Sequence, residues 1–145
     1  MNSVNLMRCK LVREATVEYE PVRSVDDALT ILKAFGLNDS ADESFCIICT
    51  DVKLKPIGLH EVSRGELSGA PVHPREVFKR AILNNAAALL LAHNHPSNVA
   101  LPSKEDRDIT RRLVECGDIL GIKVLDHLIV TPGEEYYSFK ENSEI

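Results

Sequence analysis

Apolar residues along this chain fall into two kinds of run, one stepped by three and four and one continuous, and the two kinds alternate. Ser24 with Asp27 three residues on has the form of a capping box. Ala28, Leu29, Leu32 and Phe35 then supply an apolar stripe at helical spacing, and Gly36 ends it. Phe45 to Cys49 is a short continuous apolar run, which predicts a strand buried on both faces. Asp51-Val52-Lys53 is polar enough for a turn, and a second strand is expected from Leu54 to Val62, broken near Gly65. His73-Pro74 opens the next helix, whose buried face is Val77, Phe78, Ala81 and Ile82, with Asn84-Asn85 able to supply a left-handed closing residue. Ala86 to Ala92 is uninterrupted and runs straight into His93-Asn94-His95 before Pro96 stops it, as expected of a central strand. Ser103 caps a long helix with apolar positions at Ile109, Leu113, Cys116 and Leu120, and Gly121 ends it. Val124 to Val130 and Tyr136 to Phe139 read as two closing strands.

The order is helix, strand pair, helix, strand, helix, strand pair. It predicts an α/β fold, a mixed β-sheet flanked by helices. Residues 1–22 read as a loosely attached lead-in, in which Val17 and Tyr19 alternate with glutamates and allow a short edge strand before Pro21. Residues 23–145 form the domain.

Composition narrows the chemistry. At 145 residues the chain has the size of one domain, and 44% hydrophobic with 27% charged residues is the mix of an ordinary globular protein. Seventeen basic against 22 acidic residues leave a net charge of −5, which argues against a dedicated nucleic-acid binder. With 5% aromatics and no Trp, a base-stacking platform is poorly supplied. The basic clusters, Arg75, Lys79 and Arg80 and then Arg107, Arg111 and Arg112, read as solvated helix faces. No window approaches ~18 apolar residues, so no membrane partner is expected, and residues 1–10 lack a secretory apolar core. Four cysteines at irregular spacing fit a reducing cytoplasm better than a disulfide framework. Cys46 and Cys49 lack a second cysteine pair and would face opposite sides of a strand, so packed thiols are expected there. His60 and His73 are expected at the surface or as caps.

The chemistry-bearing residues lie around the central strand. Two histidines two places apart on a strand share a face, so His93 and His95 can present imidazoles to one point. Asp106 leads into 109, 113 and 116 in helical steps, which turns it inward in the first turn of its helix. Two imidazoles and one carboxylate leave a fourth position open, the ligand set of a catalytic rather than a structural zinc. Each residue also has a plain structural reading. A histidine at a strand end is ordinarily packed or hydrogen-bonded, and Ser103 with Asp106 is explained by helix capping alone.

His93-x-His95, seven residues, then Ser103-x-x-Asp106 resembles the signature of the JAMM (MPN+) metalloproteases. The wider string His73-Pro74-Arg75-Glu76, Asn85 to Ala88, His93 to Ser97, Pro102-Ser103, Asp106 and Leu125-Asp126-His127 resembles the bacterial RadC family, over residues ~24 to 145. The resemblance is to short members without a preceding helix-hairpin-helix region. It departs at Asn98, where the family usually has Gly and where Asn tolerates the left-handed backbone, and in the more apolar Val99-Ala100-Leu101.

The resemblance implies a JAB/MPN, cytidine-deaminase-like α/β sandwich and one zinc per chain on His93, His95 and Asp106. It implies hydrolysis of an amide, peptide or isopeptide bond by a zinc-activated water, and leaves open which peptide, protein or small amide is the substrate. In the wider family the general base is a Glu at the start of a neighbouring strand. Glu43 matches that place, with Glu61 as the rival and Glu66 weaker. By analogy Ser103 would hydrogen-bond a developing oxyanion, a role read here as exclusive of capping. Of Asp126 and His127 only one can face the site, and either could orient a metal-binding histidine from behind or simply bond at a strand end. The family's traditional label, DNA repair protein, supports a competing reading as a nucleic-acid-associated module.

Overall fold

The computed structural model describes residues 3–65 and 72–145. It contains α1 (Val25–Phe35), β1 (Ser44–Thr50), β2 (Pro56–Arg64), α2 (Pro74–Leu83), β3 (Ala88–Asn94), α3 (Lys104–Leu120), β4 (Lys123–Val130) and β5 (Tyr136–Ser138). This is the element order expected from the sequence. The strands form one five-stranded mixed sheet in the order β2-β1-β3-β4-β5. Only β3 and β4 run parallel, joined through α3; the other neighbours are antiparallel.

Burial follows from that order. Every residue of β1 and β3 is buried, as continuous apolar runs require when both faces are covered. On one face Phe45, Ile47, Leu89 and Leu91 pack with Val77, Phe78 and Ala81 of α2 and Leu113 of α3. On the other, Cys46, Ile48, Leu90 and Leu128 pack with Ala28, Ile31 and Leu32 of α1. Each fully buried Leu or Ile contributes about 1.5–3 kcal/mol, so these two layers dominate stability. Cys46 and Cys49 are free, buried thiols in opposite layers, as expected.

The helix ends are built as their sequences indicate. Ser24 and Ser103 each close a reciprocal capping box, with Asp27 and Asp106, and Gly36 and Gly121 take the left-handed cap. Asn85 and Asn98 also adopt positive φ, at 54° and 66°. The expected left-handed Asn98 is thus present, and its Oδ1 accepts from the Gly133 backbone N–H at 3.0 Å.

Several boundaries and faces differ from the expectations. The second strand begins at Pro56 because Leu54 sits at φ 63°, in a turn where Asp51 Oδ1 accepts from the N–H groups of Lys53 and Lys55. The short edge strand before Pro21 does not form; described residues ahead of α1 carry no helix or strand, although Tyr19 and Val22 pack on the α1 layer. In α1 the inward positions are Ala28, Ile31 and Leu32, and Phe35 is exposed. In α3 Asp106 and Leu113 are inward as expected, Thr110 and Gly117 are buried one place on from Ile109 and Cys116, which pack partly buried, and Leu120 is exposed. Among the described residues no helix is long and apolar enough to cross a membrane.

Candidate metal centre

His93 lies at the carboxyl end of β3, next to its parallel neighbour β4, where α/β sheets open their crevices. It is fully buried and stacks on Phe45, its cross-strand partner on β1, at 6.0 Å between ring centroids. His95 lies one residue beyond the strand, yet its backbone N–H donates to Val130 O at 2.9 Å, so the ladder continues to it. The period of two therefore still holds, and both rings meet on the α3 side of the sheet. Asp106 reaches the same point from the first turn of α3 and is 6% exposed.

The distances define a compact donor set. His93 Nε2 and His95 Nε2 are 3.0 Å apart, and they lie 3.2 Å and 3.3 Å from Asp106 Oδ1 and Oδ2. Ligand bonds of ~2.0–2.1 Å at tetrahedral angles place donors ~3.3 Å from one another. The two Asp106 distances run to different carboxylate oxygens; taking one donor atom from each side chain, the three lie within 4.8 Å of one another, close enough to hold one metal ion.

The surroundings prepare the donors. His95 Nδ1 lies 2.8 Å from Val99 O; a carbonyl only accepts, so Nδ1 carries the hydrogen, and in the neutral ring Nε2 keeps its lone pair. Asp106 beside it raises His95 above the ordinary imidazole value, against the opposing effect of burial. Burial by itself would raise the Asp106 carboxyl, but hydrogen bonds that the protonated rings of His93 and His95 donate to it outweigh burial and hold the group well below the usual carboxylate range. Asp106 Oδ2 also accepts from the Ser103 N–H at 2.8 Å, so the capping box that starts α3 orients the same carboxylate.

Glu43 immediately precedes β1 and is half-buried. Phe45 pairs with His93 and Cys46 with Ala92, and continuing that antiparallel register two places outward brings Glu43 level with His95. Its negative charge contributes to the raised His95 value. Glu61 is opposite Cys46, on the α1 face of the sheet, where it forms an ion pair with Arg64 at 2.9 Å. The sheet therefore separates Glu61 from the donor set. Glu66 lies outside the described residues.

Ser103 Oγ accepts from the Asp106 N–H at 3.0 Å. Capping uses an oxygen lone pair and leaves the hydroxyl hydrogen for another acceptor, so its two roles are compatible rather than exclusive. Asp126 faces away, its carboxylate accepting from Ser138 Oγ and from the N–H groups of Lys140 and His127. His127 faces the site: fully buried, it lies 2.7 Å from His93 Nδ1 and 2.6 Å from Thr110 Oγ1. Burial pushes its imidazole well below the ordinary value. Thr110 is the residue sequence reasoning missed. The available signal was its four-residue step from Asp106, continued by Leu113 and Gly117.

Fold and site together define an α/β domain with a convergent His–His–Asp donor set at the end of a central strand. The family model of the RadC-like JAB domain matches residues 22–144, and the chain belongs to that family. A UPF0758 protein of Symbiobacterium thermophilum is 54% identical over 99 residues, covering 68% of this chain and 42% of that protein. One from Caldanaerobacter subterraneus is 43% identical over 126 residues, covering 82% and 54%. One from Rubrobacter xylanophilus is 51% identical over 100 residues, covering 69% and 43%. The chain spans about half the length of these relatives.

Proposed function

We propose that the protein is a zinc-dependent metallohydrolase of the JAMM type, cleaving an amide, peptide or isopeptide bond in a peptide or protein. The observation that carries this reading is the convergence of His93, His95 and Asp106, whose ligand atoms, one from each side chain, all lie within 4.8 Å of one another, the nearest contacts being 3.0–3.3 Å. A zinc bound there would supply a Lewis acid and a water acidified toward neutrality. The chain's own part is division of labour. His93, His95 and Asp106 hold the ion, and Glu43 takes a proton on the nucleophile side and returns it to the leaving amine. The Ser103 hydroxyl donates to the oxygen on which negative charge develops.

Against the nucleic-acid reading stands the pairing of four of the six basic residues in the two clusters. Lys79 and Arg80 are bridged to Glu76, Arg107 to Glu144 and Arg111 to Asp108. Strong phosphate binding needs clustered cations and gives a steep salt dependence. Duplex and single-strand titrations over a salt series should therefore show only weak binding.

The direct test is metal analysis. Purified protein should hold about one zinc per chain, and His93→Ala or Asp106→Ala should lose it while keeping the helical and strand signal in circular dichroism. Stoichiometric, chelator-resistant zinc in either variant would overturn the assignment.

A further inference from the structure

From the hydrogen-bond chain behind His93 we infer that Thr110 and His127 are positioning residues that fix which nitrogen of His93 faces the metal. This rests on the proposed metal centre.

The direction of the chain follows from its fixed end. Thr110 Oγ1 lies 2.6 Å from the Asp106 carbonyl oxygen, which can only accept, so the hydroxyl donates its single hydrogen there. Toward His127 Nδ1, at 2.6 Å, the same oxygen must then accept, and Nδ1 carries a hydrogen. The His127 ring is fully buried, stacked on Phe139 at 4.8 Å and edge-on to Phe45 at 5.4 Å, surroundings that hold a neutral imidazole. Its Nε2 therefore bears a lone pair and accepts from His93 Nδ1–H at 2.7 Å. One nitrogen of His93 is thereby committed, and its Nε2 presents a lone pair toward His95 and Asp106.

The chain starts on the backbone of one ligand, Asp106, and ends on the ring of another, His93. It ties α3 to β3 through β4, so the separation of the two ligands and the tautomer of one are set by a single network. A helix interior normally gains little from threonine, whose hydroxyl here bonds the carbonyl four residues back. The placement is explained by what the other side of that oxygen holds.

The test uses the full chain and two independent readouts. In metal-free protein, long-range ¹H–¹⁵N correlation of the imidazoles should show the Nδ1–H tautomer for both His93 and His127. Thr110→Val, which keeps the shape and removes the hydroxyl, should weaken zinc binding in calorimetry by roughly 10- to 100-fold, and Thr110→Ser should restore it to within a few-fold. Cobalt substitution should report the same change in the ligand-field spectrum of Thr110→Val. An Nε2–H tautomer at His127 would overturn the inference. So would a folded Thr110→Val that binds zinc as tightly as the parent with an unchanged cobalt spectrum. Absence of zinc binding in the parent would instead count against the metal centre, and the tautomer would still decide the direction of the chain.

Discussion

Glu43 and Glu61 are nearly indistinguishable as residues, one just ahead of β1 and the other on its neighbour β2; register separates them. Glu43 comes level with His95, whereas Glu61 is spent on Arg64 across the sheet. Glu43→Gln should keep zinc and fold while lowering hydrolysis of a peptide- or isopeptide-linked reporter by about 10²–10⁴-fold, the usual value of a positioned base. Glu61→Gln should stay within a few-fold. A reversed result, with Glu61→Gln inactive and Glu43→Gln active, would move the base to the other face. At this scale the sequence carried His93, His95 and Asp106 through the period of two and the helix cap. It did not carry the His127–Thr110 pair, because two residues 17 positions apart meet only through the β4 and α3 packing.

Helix α3 shows how elements were legible and faces were not. Its start at the Ser103 cap and its end at Gly121 follow from local chemistry, which a sequence displays directly. The apolar stripe turns Asp106 and Leu113 inward correctly, but Thr110 and Gly117 take the inward places that hydrophobicity assigns to Ile109 and Cys116. The same substitution of packing for pattern exposes Phe35 and Ile82 at the ends of α1 and α2. Gly117 belongs to this face: a Cβ there would stand 2.5 Å from the Ile122 carbonyl oxygen, where the chain turns back into β4. Alanine ordinarily gains up to about 1 kcal/mol over glycine inside a helix. At this position the crowding reverses the sign, and Gly117→Ala should destabilise by roughly 1–3 kcal/mol in urea titration. A stabilised variant would show that α3 and β4 can separate at no cost.

Across the whole molecule, the strand order could not be read from the chain, since antiparallel insertion of β1 between β2 and β3 leaves no local mark. The continuous apolar runs announced which strands are central and nothing about their neighbours. Centrality has a measurable consequence for the thiols. Burial pushes Cys46 and Cys49 up to about 12, with the Glu61 charge adding to the effect at Cys46, so neither forms thiolate near neutral pH. Cys9 is exposed. At pH 8 a thiol reagent should therefore modify Cys9 at once, and Cys46 and Cys49 only under denaturant, read by mass spectrometry of digested protein. Rapid native labelling of either strand cysteine would mean that β1 opens without global unfolding.

The antiparallel register of β1 on β3 also separates two properties of the domain. The three proposed metal donors fall within one strand–loop–helix unit, His93 to Asp106, so closing the site costs the entropy of a short loop only. The proposed base arrives from 50 residues upstream of His93, on a strand that must be threaded between two others. In the proposed reading, ion binding would thus be a short-range property of the chain and turnover a long-range one. A slip of one residue in that single strand pair would turn Glu43 to the far face, yielding a protein that still loads metal and has lost its base.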